Sequence, residues 1–300
     1  MKIGYIGLGS MGGRLAARLL HSHDLYVYDR DPAAVAAQIE RGAKACASAA
    51  ELAAACDVVL LCLPTSDHVR TVLFGDGGLA AAARPGTLIV DQTSGDPVQT
   101  RQLAAELAEL GIDMADAPVS GGPAGADAGT IAIMVGGSDE RFAQLRPILE
   151  PISPNIFHAG PIGAGHVVKA ANNMLSAVNR MVSLEALALV TKNGVDAHRA
   201  LEIFLASSGR NFHLETFVAE ILAGKLDSGF TLGLMHKDVK LACRLGVDSG
   251  TPLQLGDVVR NFYQMCVNEW GYDGEVNNAA LLMDRLAAST VVPEPPAPGR

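Results

Sequence analysis

Apolar residues follow two patterns along the chain. Through the first half, the short runs KIGYIG, LYVYDR, DVVLLCLP, GTLIVDQT, IDMADAPVS, TIAIMVGG and NIFHAG alternate with alanine-rich stretches of helical period. A strand with one face in water alternates apolar and polar residues, whereas a strand covered on both faces is apolar almost throughout. These runs therefore predict an α/β architecture, a mainly parallel sheet with helices on both sides. The intervening helices include about 11–21, 32–41 and 97–110.

Beyond Gly165 only helical periods remain. HVVKAANNMLSAVNRMVSLEALALVTKNG reads as one long helix closed by Gly194, a residue suited to the left-handed turn that ends helices. Further helices are predicted at about 196–206, 213–223, 231–248, 252–269 and 277–287, with no strand among them. The expected organisation is an α/β domain over 1–162 and an all-α domain over 163–290, joined by a linking helix at 165–193. The proline-rich end, 291–300, is expected to be disordered.

Composition changes this picture only at its edges. A net charge of -9 disfavours nucleic acid or an anionic membrane as partner, so an acidic substrate must meet local donors. The five cysteines, Cys46, Cys56, Cys62, Cys243 and Cys266, show no regular spacing, and no signal-peptide pattern precedes KIGYIG. A reduced, cytoplasmic protein is expected. The longest aliphatic run, VVLLCL at 58–63, is far shorter than the roughly 20 residues of a membrane span, and no membrane crossing is expected. His158, His166, His213 and His236 lack a metal-ligand spacing, His166 has no evident acid partner in the sequence, and no metal is assigned.

The first chemical signal is YIGLGSMGGRLAARLL, in which Gly7, Gly9 and Gly12 take the GxGxxG spacing between a strand and a helix. Gly7 allows the tight turn, Gly9 lets a pyrophosphate approach the backbone, and Gly12 lets the helix pack on its strand. Leu8, Ser10 and Met11 complete the loop. Asp29 ends the second strand 17 residues after Gly12, near the place of an acid that accepts hydrogen bonds from an adenosine ribose. Asp29 favours NAD, the preferred reading; Arg30 beside it suits the 2′-phosphate of NADP. Two further strand ends are expected at the cofactor crevice, Leu63 and Pro64 to pack on adenosine or ribose and Thr93 or Ser94 to hydrogen-bond near a nicotinamide, although on composition alone they are equally ordinary loop starts.

A second loop, Ser120-Gly121-Gly122, follows another strand end and offers backbone N–H groups and a hydroxyl to a carboxylate, although SGG read alone is equally a flexible turn. In GPIGAGHVVKAANNM, Lys169 and Asn173 lie four residues apart and share a helix face. Lys169 also lies in the first turns of its helix, where the macrodipole disfavours a cation, and an oxidised nicotinamide would add positive charge. Both effects lower a lysine pKa toward what an acid/base catalyst needs; without the glycine loops, a solvated helix-face lysine with an amide neighbour would be the preferred reading.

Taken in order, GYIGLGSMGGRLAARL, DAPVSGGPAGADAGTIAIMVGG, GPIGAGHVVKAANN and FTLGLMHKDVKLA resemble the β-hydroxyacid dehydrogenase family, over about 2–242. The resemblance implies an N-terminal Rossmann domain, a long interdomain helix, a helical C-terminal domain and a homodimer or homotetramer. It further implies Lys169 as catalytic acid/base, Asn173 as the residue orienting substrate, and Ser120, Gly121 and Gly122 as holders of the substrate carboxylate. Lys237, in MHKDVK, matches a family lysine that reaches the cofactor side; read without the family it is another exposed helix lysine followed by Asp238 as a local charge partner, and Phe230 is either a pocket wall or core. The family's common DMSTISP is here DQTSGDP, so Thr93 and Ser94 stand where the family has Ser and Thr. The implied activity is NAD(P)-dependent interconversion of a small 3-hydroxy acid, 3-hydroxyisobutyrate-like, and its semialdehyde or keto form. Alternatives are a non-enzymatic dinucleotide-binding or scaffold protein and an imine reductase-like enzyme. Arg210 or Asn211 could read a second acidic group of a substrate, but capping of the next helix is the preferred reading.

Overall fold

The computed structural model describes residues 1–293, and the chain divides into two compact units, Met1–Lys169 and Ala170 onward. The first holds nine strands: β1 (Ile3–Ile6), β2 (Leu25–Tyr28), β3 (Lys44–Ala45), β4 (Val58–Leu61), β5 (Leu88–Asp91), β6 (Asp113–Asp116), β7 (Val119–Ser120), β8 (Ala132–Gly136) and β9 (Ile156–Gly160). Their order is β3-β2-β1-β4-β5-β6-β8-β7, with β9 paired to β8. Pairing is parallel from β3 to β6 and between β8 and β9; β8 runs antiparallel to β6 and β7.

The continuous apolar runs have the expected cause. Ile3, Tyr5, Val58, Leu60, Leu88 and Val90 face one core with Leu15, Leu19 and Leu145. Their strand neighbours Ile6, Val59, Leu61 and Ile89 face another with Leu52, Val69 and Leu103. Helices thus cover both faces, and each fully buried leucine or isoleucine contributes on the order of 2 kcal/mol. Two details differ from the sequence expectation. IDMADAPVS is two strands, β6 and β7, interrupted at Ala117-Pro118, where proline has no N–H for a ladder. The edge strand β3 is only Lys44 and Ala45, both exposed, and carries no apolar signal.

The second unit is helical, with helices at Ala197–Leu205, Phe212–Thr216, Val218–Leu222, Leu232–Ser249, Gln254–Trp270 and Ala279–Ala287 around Leu184, Leu187, Leu201, Val239, Phe262 and Tyr263. The single helix expected over 213–223 is two short ones, broken at Phe217 (φ -114°, ψ -28°). Asn211 caps the first, its side-chain oxygen accepting from the His213 and Leu214 N–H groups at 2.9 and 3.1 Å. The expected disordered tail begins too early at 291: Val291 is buried, and the Val291 and Val292 N–H groups each donate to Asp284 at 2.8 Å. The rest of that tail, 294–300, lies outside the described residues.

The linking helix runs over Ala164–Lys192. At its end Gly194 takes φ +80°, and Val195 N–H bonds to the Val190 carbonyl at 3.0 Å, the closure its sequence predicts. With 29 residues it is long and apolar enough, by length and composition, to cross a membrane. Counting only uninterrupted aliphatic runs missed this. One face of the helix, however, carries His166, Lys169, Asn173 and Arg180, all buried within the protein.

Candidate active site

The strand order reverses direction of growth between β1 and β4, and in open α/β sheets ligands bind beyond the carboxyl ends of strands at such a point. The GxGxxG loop follows β1 there. Gly7 has φ +92°, and a Cβ on it would lie 2.2 Å from the Cys62 carbonyl oxygen; a Cβ on Gly12 would lie 1.9 Å from the Gly7 carbonyl oxygen. No side chain fits either position. Gly9 is different: a Cβ there would meet nothing within 4 Å, so the loop leaves open space beside the start of helix Gly12–Leu19. That space and a helix N-terminus suit a pyrophosphate.

Asp29, at the end of β2, accepts a hydrogen bond from Leu8 N–H at 2.6 Å with one oxygen and from Asp31 N–H at 2.8 Å with the other. The sheet thus brings Asp29 to the glycine loop. Each carboxylate oxygen retains a lone pair for a ribose hydroxyl, and Arg30 is exposed beside it. Ser10 is exposed and Met11 half-buried at the loop's outer turn. Leu63 and Pro64 follow β4, with Leu63 packed close to Gly7. Thr93 follows β5, but it is buried, and its hydroxyl accepts from Leu63 N–H at 3.1 Å, so it ties two loops together. Ser94 is the more accessible of the two hydroxyls. Ser120 ends β7, and Gly121 (φ +140°) and Gly122 (φ +68°) follow, both exposed and in conformations that side chains rarely adopt.

Lys169 is positioned by the start of its helix. Asp116, fully buried at the end of β6, accepts from Gly163 N–H at 2.6 Å and from His166 N–H at 2.7 Å. A carboxylate at that end satisfies orphan N–H groups and complements the macrodipole. The expectation that His166 has no acid partner is corrected. Its Nδ1 lies 3.9 Å from Asp116 and its Nε2 4.0 Å from Asp91, and Asp91 and Asp116 are register neighbours on β5 and β6. The ring also bonds to the Thr93 carbonyl oxygen and the Thr100 hydroxyl, each at 2.8 Å. Burial raises the Asp91 pKa, an effect that the nearby imidazole and the Thr93 hydrogen bonds oppose. One turn along this anchored helix, Lys169 is 9% exposed.

In the helical unit Asn173 is 8% exposed. Its Nδ2 donates to Asp238 Oδ2 at 2.6 Å, and its Oδ1 accepts from Asn172 at 3.2 Å. Asp238 Oδ1 pairs with Lys237 Nζ at 3.2 Å. The neighbour pair Lys237–Asp238 is as the sequence suggests; what the sequence did not reveal is that the buried Asp238 also fixes the amide of Asn173. An acid placed beside a lysine in an otherwise apolar helical turn, HKDV, was the available signal. Phe230 is half-buried against the helical core.

A glycine loop at the switch point, an acid at the end of β2 and a helix carrying a buried lysine define a dinucleotide-binding oxidoreductase on the doubly wound α/β fold. Residues 2–160 match the model of the NAD-binding domain of 6-phosphogluconate dehydrogenase, and residues 163–283 match the NAD-binding domain of NADP-dependent 3-hydroxyisobutyrate dehydrogenase. The chain is 41% identical over 266 residues to 2-(hydroxymethyl)glutarate dehydrogenase of Eubacterium barkeri, covering 88% of each. It is 40% identical to NAD-dependent L-serine dehydrogenase of Pseudomonas aeruginosa, over 90% of this chain and 93% of that one. A solved structure of 3-hydroxyisobutyrate dehydrogenase from Mycobacterium tuberculosis, with L-serine, superposes with TM-score 0.85 at 31% identity, covering 94% and 98% of the two chains. The chain belongs to the β-hydroxyacid dehydrogenase family. It is an NAD(P)-dependent oxidoreductase that acts on the hydroxyl group of a hydroxy acid.

Proposed function

We propose that the substrate is a small 3-hydroxy acid, interconverted with its semialdehyde or keto form, and that Lys169 moves the hydroxyl proton. The observation that carries this reading is a lysine 9% exposed and an asparagine 8% exposed, one turn apart on one helix face. Lysines are rarely buried, and buried ionisable groups cluster at functional sites. The nicotinamide, when bound, accepts or returns the hydride. Lys169 takes the proton from the substrate oxygen in oxidation and gives it back in reduction. Asn173, held by Asp238, orients that oxygen, and Ser120, Gly121 and Gly122 hold the carboxylate. Both transfers then occur within a fixed geometry.

In the same reading residues 1–162 bind the cofactor and 163–290 supply substrate contacts and self-association. Gly7, Leu8, Gly9, Ser10, Met11 and Gly12 cradle the pyrophosphate; Asp29 holds the ribose of NAD; Leu63, Pro64, Ser94 and Lys237 complete the cofactor contacts, with Thr93 supporting from behind. Self-association as a homodimer or homotetramer is supported by the linking helix, where Val168, Leu175, Val182 and Leu189 are exposed at intervals of seven residues. The protein is assigned to the cytoplasm. The test is initial-rate absorbance at a wavelength that reports reduced nicotinamide, with NAD and NADP against 3-hydroxyisobutyrate, glycerate, serine, threonate and 2-(hydroxymethyl)glutarate. Turnover of one 3-hydroxy acid is expected; tight dinucleotide binding with no turnover of any of them would favour a binding protein.

A further inference from the structure

The helical unit buries a cation with no anion beside it. Arg180 is 4% exposed, and among the described residues no carboxylate pairs with it. One guanidinium nitrogen, Nη1, bonds to the side-chain oxygen of buried Asn277. The guanidinium stacks over Phe217 at 4.8 Å from the ring centroid, and Nε has no hydrogen-bond partner. Around it, His213 has no partner at either ring nitrogen and Tyr263 none at its hydroxyl, although both are essentially inaccessible. His213 lies against the same Phe217 ring, at 5.8 Å. Burial and the Arg180 charge hold the His213 ring far below its usual pKa, at about 2, so it is a neutral group with one N–H. A guanidinium, a phenol and a neutral imidazole together present three unpartnered donors and a positive charge. Buried groups of this kind are normally satisfied, and three donors beside a positive charge are best matched by an acceptor carrying negative charge.

Arg180 is also tied to the site by its position. It lies seven residues beyond Asn173 on the linking helix, 20° short of two full turns and roughly 10 Å along the axis. The two residues therefore share one face of the helix. Between them on that face stands Ala177, a methyl group, itself buried.

We propose that Arg180, Tyr263 and His213 form an anion-binding site in the helical unit. Its occupant is either the second acidic group of a substrate whose hydroxyl end Asn173 holds, or a small free anion such as formate or chloride. The first source rests on the proposed function; the second does not. For a substrate, the class selected is a hydroxy acid with two carboxylates separated by a short aliphatic chain.

Two measurements on the full-length protein test this. The first is thermal unfolding at fixed ionic strength as potassium HEPES, whose bulky sulfonate carries no carboxylate, is replaced by chloride, formate or glutarate, for wild type, Arg180→Met and Tyr263→Phe. The wild-type midpoint should rise saturably, Arg180→Met should show no rise, and Tyr263→Phe, which removes only a hydroxyl, should show a smaller one. In HEPES alone Arg180→Met should be no less stable than wild type, since an unpaired buried charge is replaced by an apolar chain; a purely structural arginine would leave it less stable there. The second is the ratio of kcat/KM for 2-(hydroxymethyl)glutarate to that for 3-hydroxyisobutyrate. A fall in this ratio of at least about tenfold in Arg180→Met assigns the site to the substrate. An unchanged ratio with the midpoint shift retained in wild type assigns it to a free anion. An anion response and a substrate ratio both unaltered by Arg180→Met would overturn the proposal. If wild type turns over neither substrate, the proposed function fails, while the unfolding series still decides whether an anion binds.

Discussion

Two groups of buried polar side chains, one in each unit, differ in how they are satisfied. In the α/β unit, Asp91, Asp116, His166 and Thr100 are fully inaccessible, yet the imidazole faces both carboxylates and Asp116 accepts two helix-start N–H groups. Only Asp91 Oδ2 lacks a hydrogen-bond partner, and it faces the imidazole at 4.0 Å. In the helical unit, Arg180, His213 and Tyr263 are equally buried and leave four polar atoms without partners. The sheet supplies its own counter-groups because neighbouring strand ends place Asp91 beside Asp116 in register. Burial alone therefore does not mark a ligand site; burial without a partner does. The first group is read as a support that sets the start of the linking helix, and the second as a receptor.

Lys169 is where this contrast is broken most severely. It rides on the helix that the first group anchors, but its proposed role is chemical, so Lys169→Ala should lower kcat by about 10²- to 10⁴-fold while leaving dinucleotide affinity close to wild type. Stopped-flow turnover beside a fluorescence titration of the dinucleotide separates the two. Retained turnover would remove Lys169 from proton transfer. Asp116→Asn should show the opposite profile. An amide in place of the carboxylate can satisfy one helix N–H but turns a donor toward the other, and it leaves His166 without one of its acids. The expected loss is about 3 kcal/mol of unfolding free energy in a urea titration. A loss under about 1 kcal/mol would mean that the helix start is held by its apolar contacts instead.

His213 sharpens the contrast through pH. Its folded-state pKa is depressed to about 2, first by burial and then by the Arg180 charge, whereas the unfolded side chain titrates near 6.5. Below that value the unfolded chain binds a proton that the folded chain refuses, so stability is lost as pH falls. Between pH 7 and pH 5 the loss attributable to this one group is about 2 kcal/mol. Comparing wild type with His213→Gln in anion-poor buffer isolates it from the other histidines, because only the difference in slope counts. Parallel stability curves would show that His213 is solvated after all, and would weaken the receptor with it.

The same contrast explains what could be read from the sequence. Strands buried on both faces announce themselves as continuous apolar runs, and the glycine loop is legible because Gly7 and Gly12 face steric limits that no side chain can meet. Lys169 and Asn173 were legible because they are four apart on one helix. The partners were not. His166 meets Asp116 across 50 residues of sequence, and Asn173 meets Asp238 across 65, pairings made by sheet register and helix packing that no local pattern encodes. Arg180 was hidden for a different reason: one charged residue within an apolar helical period reads as a solvent-facing position, and only its burial shows otherwise.

Asp29 lies between the two cases. Its carboxylate is half-buried and already holds Leu8 and Asp31 N–H groups, so it both supports the glycine loop and is proposed to receive the ribose. Asp29→Ala should raise the KM for NAD about tenfold, the loss of a charge-assisted hydrogen bond, and spare or improve NADP, since Arg30 remains for a 2′-phosphate. That outcome alone does not separate the two roles. Asp29→Asn does so more sharply, because an amide oxygen can still accept from Leu8 N–H, with only the Asp31 N–H bond given up, while the charge that favours the ribose and repels a phosphate is gone. If the Asn variant shifts toward NADP as far as the Ala variant does, Asp29 selects the cofactor directly. If it keeps the wild-type ratio while the Ala variant weakens both cofactors alike, the acid acts through the loop, and any preference for NAD must reside in other residues.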